Sequence, residues 1–185
     1  MENRNKTKKL ILCGIFAALT AIGAFIRIPV PNVPFTLQVF FVIMSGIILG
    51  PKLGLISQLT YLFIGLIGIP VFTAGGGPSY ILQPTFGYLI GFALAAYVAG
   101  KIIEKRRDFN LKTILIASYI GLAFVYLIGV PYLYLIYNLY LGQQFTVAMA
   151  LWFGFIICVP GDILLMALVS VMCNKIVPTL RRAYI

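Results

Sequence analysis

Six apolar runs, separated by short polar or basic segments, restrict what this chain can fold into. They extend from Leu10 to Ile28, Phe35 to Leu49, Leu53 to Ile69, Thr85 to Ile103, Leu111 to Tyr137 and Phe145 to Val177. About 20 apolar residues in a helix cross a bilayer core, and about 17 to 25 are tolerated. The second run is short for a full crossing. The last two exceed the need and contain Pro131 and Pro160, which mark places where a helix kinks or leaves regular geometry. With 62% of residues hydrophobic and 10% charged, one water-soluble core cannot hide so much apolar surface. The basic stretch from Asn3 to Lys9 imitates a secretory leader, with Ala21 and Ala24 as its cleavage site, but the apolar run continues to Ile28 and reads as a span. The expectation is a single transmembrane domain over residues 1–185, an all-α integral membrane protein with six transmembrane helices.

Charge tests that count independently. Six crossings bring the N-terminus, the turn at Lys52, the stretch from Lys101 to Lys112 and the C-terminal tail to one side. Of fourteen Lys and Arg residues, only Arg27 then lies opposite, leaving thirteen on one face. That face is cytoplasmic by the positive-inside rule, so both termini are expected there. The net charge of +10 is thus accounted for by topology. A nucleic-acid partner would need base-stacking side chains interleaved with the cations, and none interleave here.

Three connections remain outside: "IPVPNVPFTLQ", "GIPVFTAGGGPSYILQPT" and "YNLYLGQQFT". They are rich in Pro, Gly and polar residues yet almost without charge. Gly75, Gly76 and Gly77 can take positive φ and present successive N–H groups as a concavity for an anion or a carbonyl oxygen, or they form a surface turn. Tyr80 follows them with Ser79 and Gln83. Thr85 stands where a helix should begin and is expected to cap it. Thr36 and Gln38 lie at the mouth of the second run; the carboxamide suits a neutral amide or urea group, and inter-helix bonding is the competing use.

Asp162, in "CVPGDILLMAL", is the one acidic residue away from basic segments. An Asp at the centre of a span costs roughly 2.5–3.5 kcal/mol to insert, so it should face an interior partner, a ligand or water. Cys13, Cys158 and Cys173 have no CxxC spacing and no His beside them, so neither a metal site nor a disulfide framework is expected, and no cofactor. No second acid or nucleophile accompanies Asp162, so the chain does not read as an enzyme. It carries no GxxxxGK[ST] loop, and any ATP-derived energy must come from a partner.

"TLQ" after a Pro-rich first loop, "GIILGPKLG", "GIPVF" with its glycine cluster, "PTFGYLIGF" and "VPGD" occur in this order from Ala17 to Ala167. The ordered set resembles the BioY family, the biotin-binding S-components of energy-coupling factor vitamin transporters. That resemblance implies the six-helix S-component fold, a plasma-membrane location, an outward-facing pocket roofed by the first and third loops, and assembly with a membrane coupling protein and two cytoplasmic ATPases. It also implies a docking stripe on the first helix, carried here by Gly14 and Ala18 and by Ala17 and Ala21, four residues apart; packing within the chain is the other use of small residues. Where the family commonly has Lys three residues after the Asp, this chain has Leu165, leaving a ligand carboxylate to Arg27, the glycine cluster or water.

The reading is therefore a subunit that captures biotin from outside, with Asp162 and Gln38 on the ureido group and Tyr80, Tyr88 and Trp152 as aromatic walls. The alternatives are an S-component for thiamine or riboflavin, and a structural membrane protein without a ligand. The topology is checked by impermeant labelling of intact cells: cysteines introduced at Ser79 and Gln143 should react from outside and one at Asp108 should not, and labelling at Asp108 alone would invert the orientation.

Overall fold

A computed structural model describes residues 2–184, with side chains over residues 7–177; Arg4, Lys6, Arg181 and Arg182 lie outside the described side chains. Among the described residues seven α-helices follow one another: α1 (Glu2–Phe25), α2 (Gln38–Leu49), α3 (Pro51–Leu66), α4 (Phe86–Arg106), α5 (Leu111–Leu135), α6 (Val147–Leu151) and α7 (Val159–Tyr184). Every apolar run contains a helix, but the bounds differ. The first run stops being helical at Phe25, and Arg27–Ile28 (β1) pairs antiparallel with Phe35–Thr36 (β2), Arg27 opposite Thr36. The second run thus begins in a hairpin. Its helix has 12 residues and α3 has 16. Among the described residues four helical stretches are long and apolar enough to cross a membrane: 7–25, 86–106, 111–140 and 147–177.

The last two are continuous only by changing their winding. After α5 the chain widens into a π-helical turn at Ile136–Tyr140, and α6 passes through a second at Trp152–Ile156. Pro131 sits inside α5, which continues past it. Pro160 falls in the first turn of α7, where the missing N–H has no intrahelical partner to lose. The break thus precedes Pro160 and leaves Asp162 in a helix's first turn.

The bundle is drawn together by backbone approach at small residues. A Cβ on Gly100 of α4 would stand 2.6 Å from the Gly46 carbonyl oxygen of α2 and 2.6 Å from the Pro51 nitrogen of α3. Buried polar side chains add cross-links: Gln58 Nε2 donates to Ser45 Oγ (3.2 Å), and Ser57 Oγ donates to the Cys13 carbonyl (2.8 Å), tying α3 to α2 and α1.

The small-residue stripe of α1 splits between two faces. Gly14 and Ala18 are exposed, with nothing within 4 Å of a Cβ built on Gly14. Ala17 is 3% exposed inside the core, and Ala21 is half-buried against it. Ala17 and Ala21 therefore pack inward, because their pair is set three residues on, about 60° round the helix from Gly14 and Ala18. Gly100→Ala should lower thermal stability by roughly 1–3 kcal/mol through overpacking against backbone, whereas Gly14→Ala should leave the melting temperature unchanged.

Candidate functional site

Three helix starts meet at one cavity. Gln38 is the first residue of α2, Thr85 precedes α4, and Asp162 lies in the first turn of α7; all three line the cavity. The N-terminal ends of helices carry unpaired N–H groups and a positive partial charge, so their convergence favours a carboxylate and hydrogen-bond acceptors here. Apolar side chains from α2, α4 and α5, among them Val39, Leu89, Phe92 and Val125, complete the walls.

The acidic end is built around Asp162, 8% exposed, which accepts a hydrogen bond at Oδ2 from the Tyr126 hydroxyl of α5. Tyr126 is wedged edge-on between Tyr88 (6.2 Å, 89°) and Phe155 (4.9 Å, 88°). Tyr88 donates to the Gly154 carbonyl at 2.7 Å, spending one of the carbonyls of the π-helical turn. Oδ1 of Asp162 has no protein donor among the described bonds. Phe35 of the first loop lies against Gly161, where a Cβ would come within 2.6 Å of its ring, and the Val33 carbonyl accepts from the Cys158 thiol at 3.7 Å. The glycine of "VPGD" thus lets the first loop close directly over the carboxylate.

The amide end is built around Gln38, 3% exposed. Thr36 Oγ1 donates to its Oε1 (3.1 Å), and its Nε2 donates to the Tyr61 hydroxyl (2.7 Å), which passes on to the Val71 carbonyl (3.1 Å). One amide hydrogen and one carbonyl lone pair are left for a ligand. At the rim, Arg27 Nη1 donates to the carbonyl of Thr73 at 2.5 Å, joining the first loop to the third.

Of the residues singled out in the sequence, Thr36, Gln38, Thr85, Tyr88 and Asp162 line this cavity together. The other expected residues do not line it. Tyr80 is buried behind it, its hydroxyl 3.0 Å from Thr73 Oγ1 and its ring 4.5 Å from Phe72. Gly75 and Gly77 do take positive φ (116° and 107°), but their N–H groups donate to the carbonyls of Phe72 (3.2 Å) and Gly65 (2.7 Å), so the expected anion concavity is spent on holding the loop. Gly76 packs beneath the same loop, against the carbonyls of Ile69 and Gly65. Thr85 occupies the position before α4 without a side-chain cap. Trp152 is 54% exposed on the outer side of its π-helical turn, whose contribution to the site comes from Phe155 instead. Leu165 packs against the core.

Tyr126, Tyr61, Phe35 and Thr73 were not foreseen. Tyr126 is one of eleven tyrosines, and nothing in its neighbourhood in the sequence separates it from Tyr119 or Tyr132.

A family model described as the BioY family matches residues 1–182. The chain is 44% identical to a probable biotin transporter BioY of Lysinibacillus sphaericus over 99% of this chain and 93% of the relative. It is 46% identical to a probable biotin transporter BioY of Pyrococcus horikoshii over 67% of this chain and 73% of that one. The fold superposes on the crystal structure of the S-component for biotin from an ECF-type ABC transporter with a TM-score of 0.83 and 29% identity, covering 95% of this chain and 94% of that one. Helical architecture, a cavity at converging helix starts and similarity along nearly the full length agree: this chain belongs to the BioY family.

Proposed function

We propose that this chain is the biotin-binding membrane subunit of an energy-coupling factor transporter, crossing the plasma membrane six times with both termini in the cytoplasm and taking up biotin from outside. The observation that carries the reading is the pairing of Asp162, the one buried charged side chain among the described residues, with Gln38 on a single cavity. A ureido ring offers two N–H donors and one carbonyl. Asp162 Oδ1 accepts one N–H, and the remaining amide hydrogen of Gln38 meets the carbonyl. The apolar walls take the sulfur-containing ring. Arg27, at the rim, is the cation assigned to the valerate carboxylate, in place of the lysine that Leu165 replaces. The cavity measures about 60 Å³, below the roughly 300–1,000 Å³ of a ligand-filled pocket, so binding requires the segment over residues 33–36 to swing outward and then close.

Binding of this kind is transport chemistry and involves no catalytic step. Energy reaches the chain through a membrane coupling protein and two cytoplasmic ATPases, and the outward face of Gly14 and Ala18 is the docking surface assigned to them. Ala18→Trp should abolish co-purification with the coupling protein and leave biotin affinity intact; retained association removes this face from the docking surface.

Calorimetry tests the ligand assignment. A hydrogen bond to a charged acceptor contributes roughly 1.5–3 kcal/mol, so Asp162→Asn should weaken biotin binding by about tenfold to over a hundredfold while the ligand-free melting temperature holds. Arg27→Gln should weaken biotin several-fold yet leave its methyl ester unaffected, since the ester has no carboxylate to lose. Unaltered biotin affinity in the Asp162 variant removes that residue from the site, and tight thiamine binding by the wild type moves the assignment to another vitamin.

A further inference from the structure

The motif "GIILGPKLG" has no part in the cavity just described. Its residues surround a second one at the far end of the same helices: α2 begins at Gln38 beside the first cavity and ends at Leu49 beside the second, and α4 runs between them, from just after Thr85 to just before Arg107. This second cavity, about 600 Å³, brings together Lys9 of α1, Lys52 of α3 and Arg107 after α4. The apolar part of its wall comes from Leu49, Leu53 and Ile103. One carboxylate, Glu104, also lines it, and Lys101 holds that carboxylate at 2.6 Å. No ion pair among the described residues takes up Lys9, Lys52 or Arg107.

Three features make this more than a solvated basic rim. Gly100 lies so close to Gly46 and Pro51 that the turn carrying Lys52 is clamped against α4. Gly50 turns the chain at a φ of 85°, and α3 begins there with Pro51, which has no N–H, so the first donors of that helix, on Lys52 and Leu53, belong to residues lining the cavity. Arg107 itself is held in the left-handed region (φ 52°), with its N–H on the Ile103 carbonyl, which fixes its backbone at the rim. Cations above an apolar wall, at the end of membrane-spanning helices, complement a phosphodiester whose acyl chains remain in the bilayer.

We infer that this cavity is a binding site for the headgroup of an anionic phospholipid, with Lys9, Lys52 and Arg107 on the phosphate. The glycines of the motif serve that site by holding Lys52 in place. The inference is independent of which vitamin the first cavity takes.

The experiment titrates the purified full chain in detergent with phosphatidylglycerol and phosphatidylcholine of matched acyl chains, counting bound lipid by native mass spectrometry. The wild type should retain one phosphatidylglycerol at least about tenfold more tightly than phosphatidylcholine, and millimolar inorganic phosphate should not displace it. Each neutralised cation should cost about fivefold in affinity, so Lys52→Gln with Arg107→Gln should lose phosphatidylglycerol while still binding biotin, and Lys112→Gln, outside the cavity, should match the wild type. Equal retention of the two lipids by the wild type overturns the site without reference to any variant's folding. Undiminished phosphatidylglycerol binding by the double variant, or displacement by inorganic phosphate, overturns it as well.

Discussion

A carboxylate midway along a membrane-spanning run must be compensated, and the architecture of the first cavity follows from how that is done for Asp162. Insertion of such a group costs roughly 2.5–3.5 kcal/mol. The chain offsets that cost with a tyrosine hydroxyl from α5 and with the positive end of α7, which begins only three residues before the aspartate. Both devices need the long last run to be interrupted. A continuous helix from Val147 to Val177 would place Asp162 at mid-helix, with every neighbouring N–H already used.

The interruption is itself affordable only in protein. Irregular backbone within the hydrocarbon must be covered or must line a cavity, and here the π-helical turn at Trp152–Ile156 has its Gly154 carbonyl taken by Tyr88. The same turn sends Phe155 onto Tyr126, so one local change of winding supports both the backbone and the partner of the carboxylate. The first loop completes the enclosure. Its short hairpin, anchored where the Leu37 N–H donates to the carbonyls of Gly23 (3.2 Å) and Ile26 (3.1 Å), brings Phe35, Thr36 and Gln38 over the α7 start.

The two ends of the bundle use helix termini differently. At one end, three helix starts and a single carboxylate make a site suited to a neutral ring with N–H donors. At the other, a helix start is joined by three cations and by one acid, Glu104, which Lys101 already holds, a field suited to an anion. Helices α2 and α4 run between the two and are locked together at Gly46 and Gly100, so both cavities rest on one rigid pair of elements.

Much of this was legible from residues alone. Apolar run length and the asymmetric placement of cations determined that the chain crosses a membrane, because hydrocarbon thickness and insertion cost act on a segment whatever its neighbours. Asp162 stood out for the same reason, as did Gln38 and Thr36 at the mouth of a span. Only the tertiary structure decided which residues meet. Tyr126 lies 36 residues before Asp162, and their contact depends on the rotational phase of α5 against α7. The phase of α1 likewise turned Ala17 inward and Ala18 outward although both fit the same spacing. Tertiary hydrogen bonding spent the glycine N–H groups on Phe72 and Gly65, and the π-helical winding faced Trp152 away from the cavity. Composition and spacing act locally and so can be read in order along the chain; helix rotation and loop closure are set by packing between distant segments, which no single stretch encodes.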